Sequence, residues 1–265
     1  MQEIGRLKFC IYLLFTSCLG CSTPTVDFKT VQGKWQISNS WQNIKSKCLL
    51  QDALYKEKDS YWLKKKYKKN IYLQPNEAEH YFLYGRLLGL LEKPNVAMSF
   101  FHQALERDPE YLWALYSIGV LHLKKKSHLT AQMFLQRSID IHFQFTPSLV
   151  ALAKLKIRKN KSEALYLLFC AEVFSPKNIE IKQHIANVLA LFNRYEESLA
   201  KYNEMHKISP KNTTVLNEWS KLLIKLKNYN AALPKLKKLH KLLPQNKKRA
   251  MEKTISLIMH LMNKE

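Results

Sequence analysis

The side chains of this chain that could do chemistry are nine histidines, five cysteines and 21 acidic residues. The histidines stand at scattered positions, without the paired spacing that a zinc site on one helix would require. The sequence contains no His-Glu-x-x-His, no Gly-x-Ser-x-Gly and no phosphate-binding loop. Acidic pairs such as Glu196 and Glu197 are explained by solvation and by helix dipoles. We therefore predict a protein that is not an enzyme and has no metal or cofactor.

The cysteines near the amino terminus suggest a different chemistry, which is covalent lipidation. Arg6 and Lys8 precede a short apolar stretch at 9–15 that is too short to span a bilayer as a helix. The Leu-Gly-Cys sequence ending at Cys21 resembles the lipobox of bacterial lipoproteins, in which the cysteine is lipidated and becomes the new amino terminus. Residues 1–21 are thus predicted to be a signal peptide, with Cys21 as the lipidated residue and Cys18 as the alternative.

Cys48 and Cys170 are the two internal thiols that would remain after processing. They are too far apart in sequence to indicate a disulfide framework. Cys170 lies among leucines in a helical pattern, so we interpret it as a small buried hydrophobic residue. Residues 22–40 lack helical periodicity and are predicted to be a flexible tether between the membrane and the folded part.

The folded part is organised by small residues that recur at two positions about 34 residues apart. One series is Gly85, Gly119, Ala153, Ala186 and Ser220, and the other is Ala97, Ala131, Ala164, Ser198 and Ala232. Both series have a spacing of 34 except for one step of 33, which assigns a one-residue deletion to the segment between Ala153 and Ala164. A period of this length indicates stacked copies of one supersecondary unit.

The first copy shows which unit repeats. At the spacing of the repeat it contains Tyr81, Tyr84 and Gly85, then Ala97 and Phe101, and it ends at Pro109. This pattern resembles the tetratricopeptide repeat (TPR), which implies an all-α fold, a right-handed α-solenoid of helical hairpins. The five predicted units are 78–111, 112–145, 146–178, 179–212 and 213–246.

Several positions depart from the repeat. Phe143 replaces the proline that ends a unit, which predicts a longer or bent exit from the second unit. Pro234 falls within the second helix of the fifth unit, and we expect that helix to begin near Ala231 so that the proline occupies its first turn. Residues 41–77 are predicted to be a degenerate repeat or an amino-terminal cap, and residues 247–265 a carboxy-terminal capping helix.

The resemblance also implies a binding groove lined by the first helix of each unit, and hence a protein partner. Transferring the groove positions of the family to this chain gives Phe82, Arg86, Trp113, Tyr116, Val120, Lys154, Asn187 and Lys221. Aromatic side chains in such a groove could hold apolar residues of a peptide or helix. The alternative is that the array folds back on its own amino-terminal segment and covers the aromatic residues. The clamp with which related repeats bind chaperone tails is absent.

The net charge of +22 and the runs of lysine favour anionic partners or a solvated surface. Our main interpretation is a lipid-anchored scaffold of the bacterial cell envelope, on the outer or inner membrane, that acts in protein–protein interaction or complex assembly. One alternative is a polyanion-binding solenoid that contacts anionic lipid, cell-wall polymer or nucleic acid. Nucleic acid is the least favoured of these, because export separates the chain from it. The other alternative is a cytoplasmic adaptor with an uncleaved amino terminus.

Overall fold

The computed structural model of the protein describes residues 38–56 and 60–263, which form thirteen α-helices and no strand. The predicted signal peptide and most of the predicted tether lie outside these residues, although 38–40 belong to the first helix. The helices are α1 Ser38–Lys56, α2 Ser60–Leu73, α3 Ala78–Leu90, α4 Pro94–Arg107, α5 Leu112–Lys124, α6 His128–Ile141, α7 Thr146–Lys156, α8 Lys161–Phe174, α9 Ile179–Leu191, α10 Tyr195–Ile208, α11 Thr213–Lys225, α12 Tyr229–Leu242 and α13 Gln245–Met262.

The chain divides into two compact units, residues 1–49 and 50–265, with the boundary inside α1. In the first unit the described residues are the amino-terminal part of α1, where Ile44 and Cys48 are buried. The second unit contains the rest of α1 and all later helices. Each of the five predicted repeats contains one helical hairpin, from α3–α4 to α11–α12. The all-α repeat fold predicted from the 34-residue period is therefore confirmed.

The connections between successive hairpins are uniform in length. Four residues join them at 74–77, 108–111, 142–145, 175–178 and 209–212. At each of the five connections, the first residue donates its backbone N–H to a carbonyl four positions earlier. The predicted longer or bent exit at Phe143 is wrong, because the backbone turn closes without proline: the Phe145 N–H donates to the His142 carbonyl at 3.0 Å.

The recurring small residues lie where the two helices of a hairpin approach most closely. A Cβ atom added at Gly85 would lie 2.9 Å from the Phe101 ring and 3.1 Å from the Ala97 carbonyl oxygen. At Gly119 it would lie 2.8 Å from Cγ of Leu135. Carbon atoms at ordinary contact are about 3.5–4.0 Å apart, so a larger residue at either position would force the helices apart.

The turn within a hairpin also repeats. Glu92, Lys126, Asn193 and Lys227 have φ angles of 58°, 61°, 59° and 57°, a left-handed conformation that ends the first helix. No such residue occurs in the third hairpin, in which α7 has only 11 residues and α8 begins at Lys161. The one-residue deletion predicted between Ala153 and Ala164 has thus removed the left-handed residue from this turn.

Asparagine side chains begin several helices. Asn178 and Asn212 each accept two backbone N–H groups in the first turn of α9 and α11, which satisfies donors that have no partner within the helix. Asn160 and Asn228 each accept one, at the start of α8 and α12. The Pro-Gln-Asn sequence at 244–246 is similar to Pro-Lys-Asn at 176–178 and 210–212, but its asparagine does not begin a helix. Helix α13 begins at Gln245, and Asn246 lies inside it.

The start of α12 differs from our expectation. The helix begins at Tyr229, because the Asn228 side chain caps the Ala231 N–H and its carbonyl accepts the Ala232 N–H at 3.1 Å. Pro234 therefore lies inside the helix, beyond the first turn, and the prediction that the first turn accommodates it is wrong. A proline at this depth removes one backbone hydrogen bond from α12.

A group of buried charges joins α8, α9 and α10. Nζ of Lys182 lies 2.5 Å from Glu172 and 2.6 Å from Glu204, and Nζ of Lys201 lies 2.9 Å from Glu172. The Lys182 side chain is only 8% exposed and that of Glu172 14%. Burial acts to lower the pKa of Lys182, but its hydrogen bonds and charge interactions with the two glutamates raise the pKa above its usual value.

The predicted capping segment forms α13, which packs against α12. Five apolar residues at helical spacing form a stripe along α13: Met251, Ile255, Ile258, Met259 and Met262. Ile258 is buried, and Met251, Ile255 and Met262 are half-buried. Met259 is 46% exposed, so the stripe is only partly covered by the chain itself.

Candidate functional site

The first helices of the hairpins, α3, α5, α7, α9 and α11, carry all the residues that the repeat pattern assigns to a groove. We call the side of these helices that carries the predicted residues the first-helix face. Side chains on consecutive first helices reach one another: α3 and α5 through Phe82 and Trp113, and α7 and α9 through Lys154 and Glu180. Since α5 also contacts α7, the predicted residues on α3, α5, α7 and α9 lie along a series of touching helices, although their environments differ.

Phe82 lies in the core. Its side chain is 1% exposed, and the rings of Phe101, Tyr111 and Trp113 surround it with centroid distances of 5.8, 5.5 and 6.4 Å. Three aromatic neighbours fill the space that a partner would occupy, so Phe82 offers no surface to a ligand in this structure. Its contribution is to pack α3 against the second hairpin.

Arg86 is paired within the chain. Its guanidinium donates to Oε1 of Gln51 at 2.6 Å and to Oδ2 of Asp52 at 2.7 Å. Nε2 of Gln51 in turn donates to the Leu83 carbonyl at 2.8 Å, in a buried position. The carboxy-terminal part of α1 thus covers α3. At this one helix, the contact corresponds to the alternative in which the amino-terminal segment covers the groove.

Trp113 and Tyr116 are half-buried and pack edge to face, with ring centroids 6.0 Å apart. Both rings also meet Phe145, which is fully buried, at 5.1 and 6.2 Å. Phe145 was not among the residues predicted from the sequence, although the repeat contains a signal for it: Phe145 lies 34 residues after Tyr111, at the same place before a first helix. The two half-buried rings are the aromatic surface that the first-helix face exposes.

A small polar cluster lies beside Tyr116. Nζ of Lys154 on α7 donates to Oε1 of Glu180 on α9 at 2.9 Å, and Nε2 of His184 lies 3.5 Å from the same oxygen. The hydrogen bond from Lys154 holds the pKa of the Glu180 carboxyl below its usual value. Burial, assisted by the charge of Lys154, lowers the pKa of His184. Burial chiefly, and then the Glu180 charge, raises the pKa of Tyr116.

The other predicted groove residues are not brought into this cluster. Val120 is half-buried and packs against the core around α7 and α8. Asn187 is exposed, and its side-chain oxygen accepts the Tyr202 hydroxyl at 3.2 Å. Lys221 is 63% exposed and pairs with Glu218 at 2.8 Å. Val120 therefore lies one helical turn from Tyr116 on α5, whereas Asn187 on α9 and Lys221 on α11 make other contacts.

A cleft of about 490 Å³ lies at the carboxy-terminal end, between α11, α12 and α13. Its wall is partly polar and partly apolar, with threonine and asparagine side chains beside leucine and methionine. This cleft was not predicted from the sequence. The lining residues are Thr213, Thr214, Asn217, Leu239, Leu243, Asn246, Lys247, Ala250, Met251 and Thr254.

Neither thiol of the described chain is placed as a reactive group. Cys48 is buried, and Cys170 is half-buried, with its pKa raised by burial. Within residues 38–56 and 60–263, no three His, Cys, Asp or Glu side chains are grouped so that they could hold a metal ion. In the same ranges no helix combines the length and apolar character needed to cross a bilayer. Cys18 and Cys21 lie outside the described residues.

Comparison with known proteins gives matches at the level of the fold. No family model and no curated protein matches the sequence. Among solved structures, PilF of Pseudomonas aeruginosa matches with a TM-score of 0.64 and 13% identity, over 80% of this chain and 98% of that one. YrrB, described as a TPR protein with an unusual peptide-binding site, matches with a TM-score of 0.54 and 18% identity, over 71% and 97%. Yeast Tom70 matches with a TM-score of 0.61 and 14% identity, over 76% and 43%.

Proposed function

We propose that this chain, which has the tetratricopeptide-repeat fold, is a non-enzymatic scaffold that binds a protein segment on its first-helix face. The observation that carries the proposal is the pair of half-buried rings, Trp113 and Tyr116, which expose aromatic surface between the core and the solvent. Aromatic side chains held rigidly by neighbours dominate many protein interfaces, because they add contact area at low cost in conformational entropy.

The chemistry around these rings favours a peptide or helix with one apolar side chain beside a polar group. The rings supply the apolar contact, and the charge of Glu180 acts on Tyr116, while Lys154, Glu180 and His184 can exchange their mutual contacts for contacts with a partner. The structural neighbour YrrB supports this reading, since it is described as a TPR protein with a peptide-binding site.

Substitution of the two rings tests the proposal. In cross-linking and mass spectrometry from intact cells, we expect Trp113→Ala combined with Tyr116→Ala to remove the cross-linked partner. The matched control is Leu129→Ala with Met133→Ala on α6, two side chains that are 75% and 69% exposed. Circular dichroism of each variant shows whether the array stays folded, and Tyr116→Ser is the milder replacement if the double variant unfolds. An unchanged partner list in folded protein would refute this binding face.

We further propose that the scaffold is lipid-anchored in a bacterial cell envelope through Cys21, with Cys18 as the alternative. Support comes from the positive and apolar residues before the Leu-Gly-Cys sequence. Radiolabelled fatty acid should follow the protein and disappear in Cys21→Ser. Label that persists in Cys21→Ser but disappears in Cys18→Ser would assign lipidation to Cys18. A wild-type protein that carries no label would favour the cytoplasmic adaptor.

The second candidate function, binding of a polyanion, is favoured by the lysine-rich surface of α2. Lys65, Lys66, Lys68 and Lys69 are exposed there. Salt distinguishes the two candidates, because polyanion binding weakens steeply as ionic strength rises and contact with aromatic rings does not.

A further inference from the structure

The solvent-facing side of α2 has an ordered arrangement of lysine and apolar side chains. Leu63 and Tyr67 face inward and are 0% and 6% exposed. On the opposite side and along one flank of the helix, residues at helical spacing form two adjacent rows that end in apolar side chains and have two lysines between them. The rows are Tyr61, Lys65, Lys68 and Tyr72, and Trp62, Lys66, Lys69 and Leu73. We call these eight residues the α2 face.

The apolar residues at both ends of the α2 face are more exposed than side chains of this size usually are. Tyr61, Trp62, Tyr72 and Leu73 are 79%, 45%, 85% and 61% exposed. A helix of 14 residues is about 21 Å long, so the apolar residues form two pairs near opposite ends of one surface, with the lysines between them. Large apolar side chains grouped on a surface mark a site of interaction more often than single ones do.

The four lysines of the α2 face form no ion pair within the described chain, and α2 contains no acidic residue. Nζ of Lys66 lies 4.9 Å from the centre of the Trp62 ring, which joins the charge to the apolar part of the face. Lys182 and Lys201, by contrast, are each neutralised by two glutamates. Among the described residues, therefore, no carboxylate neutralises these four lysines.

We propose that the α2 face docks onto an anionic lipid surface, parallel to the membrane plane. Tyrosine and tryptophan prefer the interface between headgroups and acyl chains, since their rings are apolar and their polar atoms reach water. Lysine places its methylene groups along the same interface while its ammonium group contacts anionic headgroups. Exposed apolar side chains at both ends of a lysine cluster on one helix match this layered environment, in which anionic headgroups lie directly above an apolar layer.

For its location in the cell the inference rests on the proposed function, because a lipidated amino terminus would hold α2 within reach of a membrane. The two can fail separately. Labelling with fatty acid tests Cys21, whereas the contact of Trp62 with lipid reports on the α2 face whatever attaches the chain to the bilayer. A protein that carries no fatty acid but still inserts Trp62 into the bilayer would refute the lipid anchor and support docking of the α2 face. A lipidated protein whose Trp62 does not contact lipid would support the anchor and refute docking of the α2 face.

The experiment measures quenching of Trp62 fluorescence by brominated lipid, using the full chain with vesicles. The Trp62 signal is the difference between the wild type and Trp62→Phe, because the chain has five tryptophans. We expect quenching with vesicles that contain phosphatidylglycerol and none with pure phosphatidylcholine. Equal quenching with both vesicle types, or none with either, would overturn the proposal.

Charge-matched variants show whether the position of the lysines matters. Lys65→Gln with Lys69→Gln should lower the equilibrium constant for docking about 30-fold, which corresponds to about 1 kcal/mol for each lysine near an anionic surface. The control is Lys237→Gln with Lys241→Gln on α12, two exposed lysines at the same spacing with the same change in net charge. An equal loss in both variants would mean that net charge alone drives binding, and would refute the α2 face.

A nucleic acid is the competing ligand for the same lysines. A fluorescent oligonucleotide is titrated into the wild type and into the Lys65→Gln, Lys69→Gln variant, at the salt concentration used for the vesicles. We expect weaker binding than to the anionic vesicles, with no dependence on Tyr72→Ser. Tighter binding of the oligonucleotide, lost when Lys65 and Lys69 are replaced, would overturn the assignment to lipid.

Discussion

Replacing Gly85 with alanine should destabilise the array, even though alanine is the better helix former. The added Cβ would lie 2.9 and 3.0 Å from two atoms of the Phe101 ring and 3.1 Å from the backbone oxygen of Ala97. These distances are about 0.5–1 Å shorter than ordinary contacts. The ring cannot move away freely, because Phe101 is 4% exposed and packs against Phe82 at 5.8 Å.

The expected magnitude follows from two opposing contributions. Overpacking of this kind costs about 1–3 kcal/mol, and the gain in helix propensity from glycine to alanine is about 1 kcal/mol. One of the close contacts is with backbone, which can shift only if α4 moves, so we expect the upper part of the range. The net change in the free energy of unfolding of Gly85→Ala is therefore a loss of about 2 kcal/mol.

Gly89 provides the matched control on the same helix. It is exposed, and the nearest atom to an added Cβ is the Cβ of Ala97 at 4.0 Å, an ordinary contact. Gly89→Ala should therefore gain up to about 1 kcal/mol. Urea titration followed by far-ultraviolet circular dichroism measures both variants, with amide hydrogen exchange in α3 and α4 to detect local opening of a repeat array. A Gly85→Ala protein as stable as Gly89→Ala would refute the close approach of the two helices.

Two further predictions concern stability. Pro234→Ala should stabilise α12 by about 1–3 kcal/mol, because Pro234 is exposed and alanine restores a backbone hydrogen bond inside the helix; an unchanged or lower thermal midpoint would contradict this. Lys182→Met should destabilise the array by about 3 kcal/mol, because the partly buried glutamates lose a partner, and adding Glu172→Met should recover most of the loss in urea titrations. No recovery in the double variant would show that lost packing, rather than unpaired charge, is the cause.

The repeated features of the fold could be predicted from the sequence because the same residue types recur in each copy of the repeat. The small residues mark the approach of paired helices, and the deletion in the third unit could be assigned because the spacing changes there alone. The positive φ of Lys126 and its equivalents follows the same period, so it too could have been inferred. The error at Pro234 arose where two local signals disagreed, since the asparagine cap at Asn228 decided the start of the helix.

Contacts that occur once could not be predicted in this way. Gln51 lies 34 residues before Gly85, at a position where the repeat has a small residue. From the sequence, the segment that contains it was predicted only as a degenerate repeat or an amino-terminal cap. In the structure the Gln51 side chain donates to the Leu83 carbonyl and accepts from Arg86. The residue that breaks the repeat pattern therefore provides the contact between α1 and α3. The burial of Phe82 depends likewise on aromatic neighbours from two hairpins, a combination that no single repeat contains.

These single contacts change how the first-helix face can recognise a partner. Arg86, Lys154 and Lys221 each pair with a carboxylate of the same chain, so the cations of the face are locally neutralised. A partner gains little from charge there, because each new ion pair replaces an existing one in water. Selectivity on this face must then come from the fit around Trp113 and Tyr116. Within residues 38–56 and 60–263 the four lysines of the α2 face have no such partners, so their charge stays available to the anionic surface that we propose.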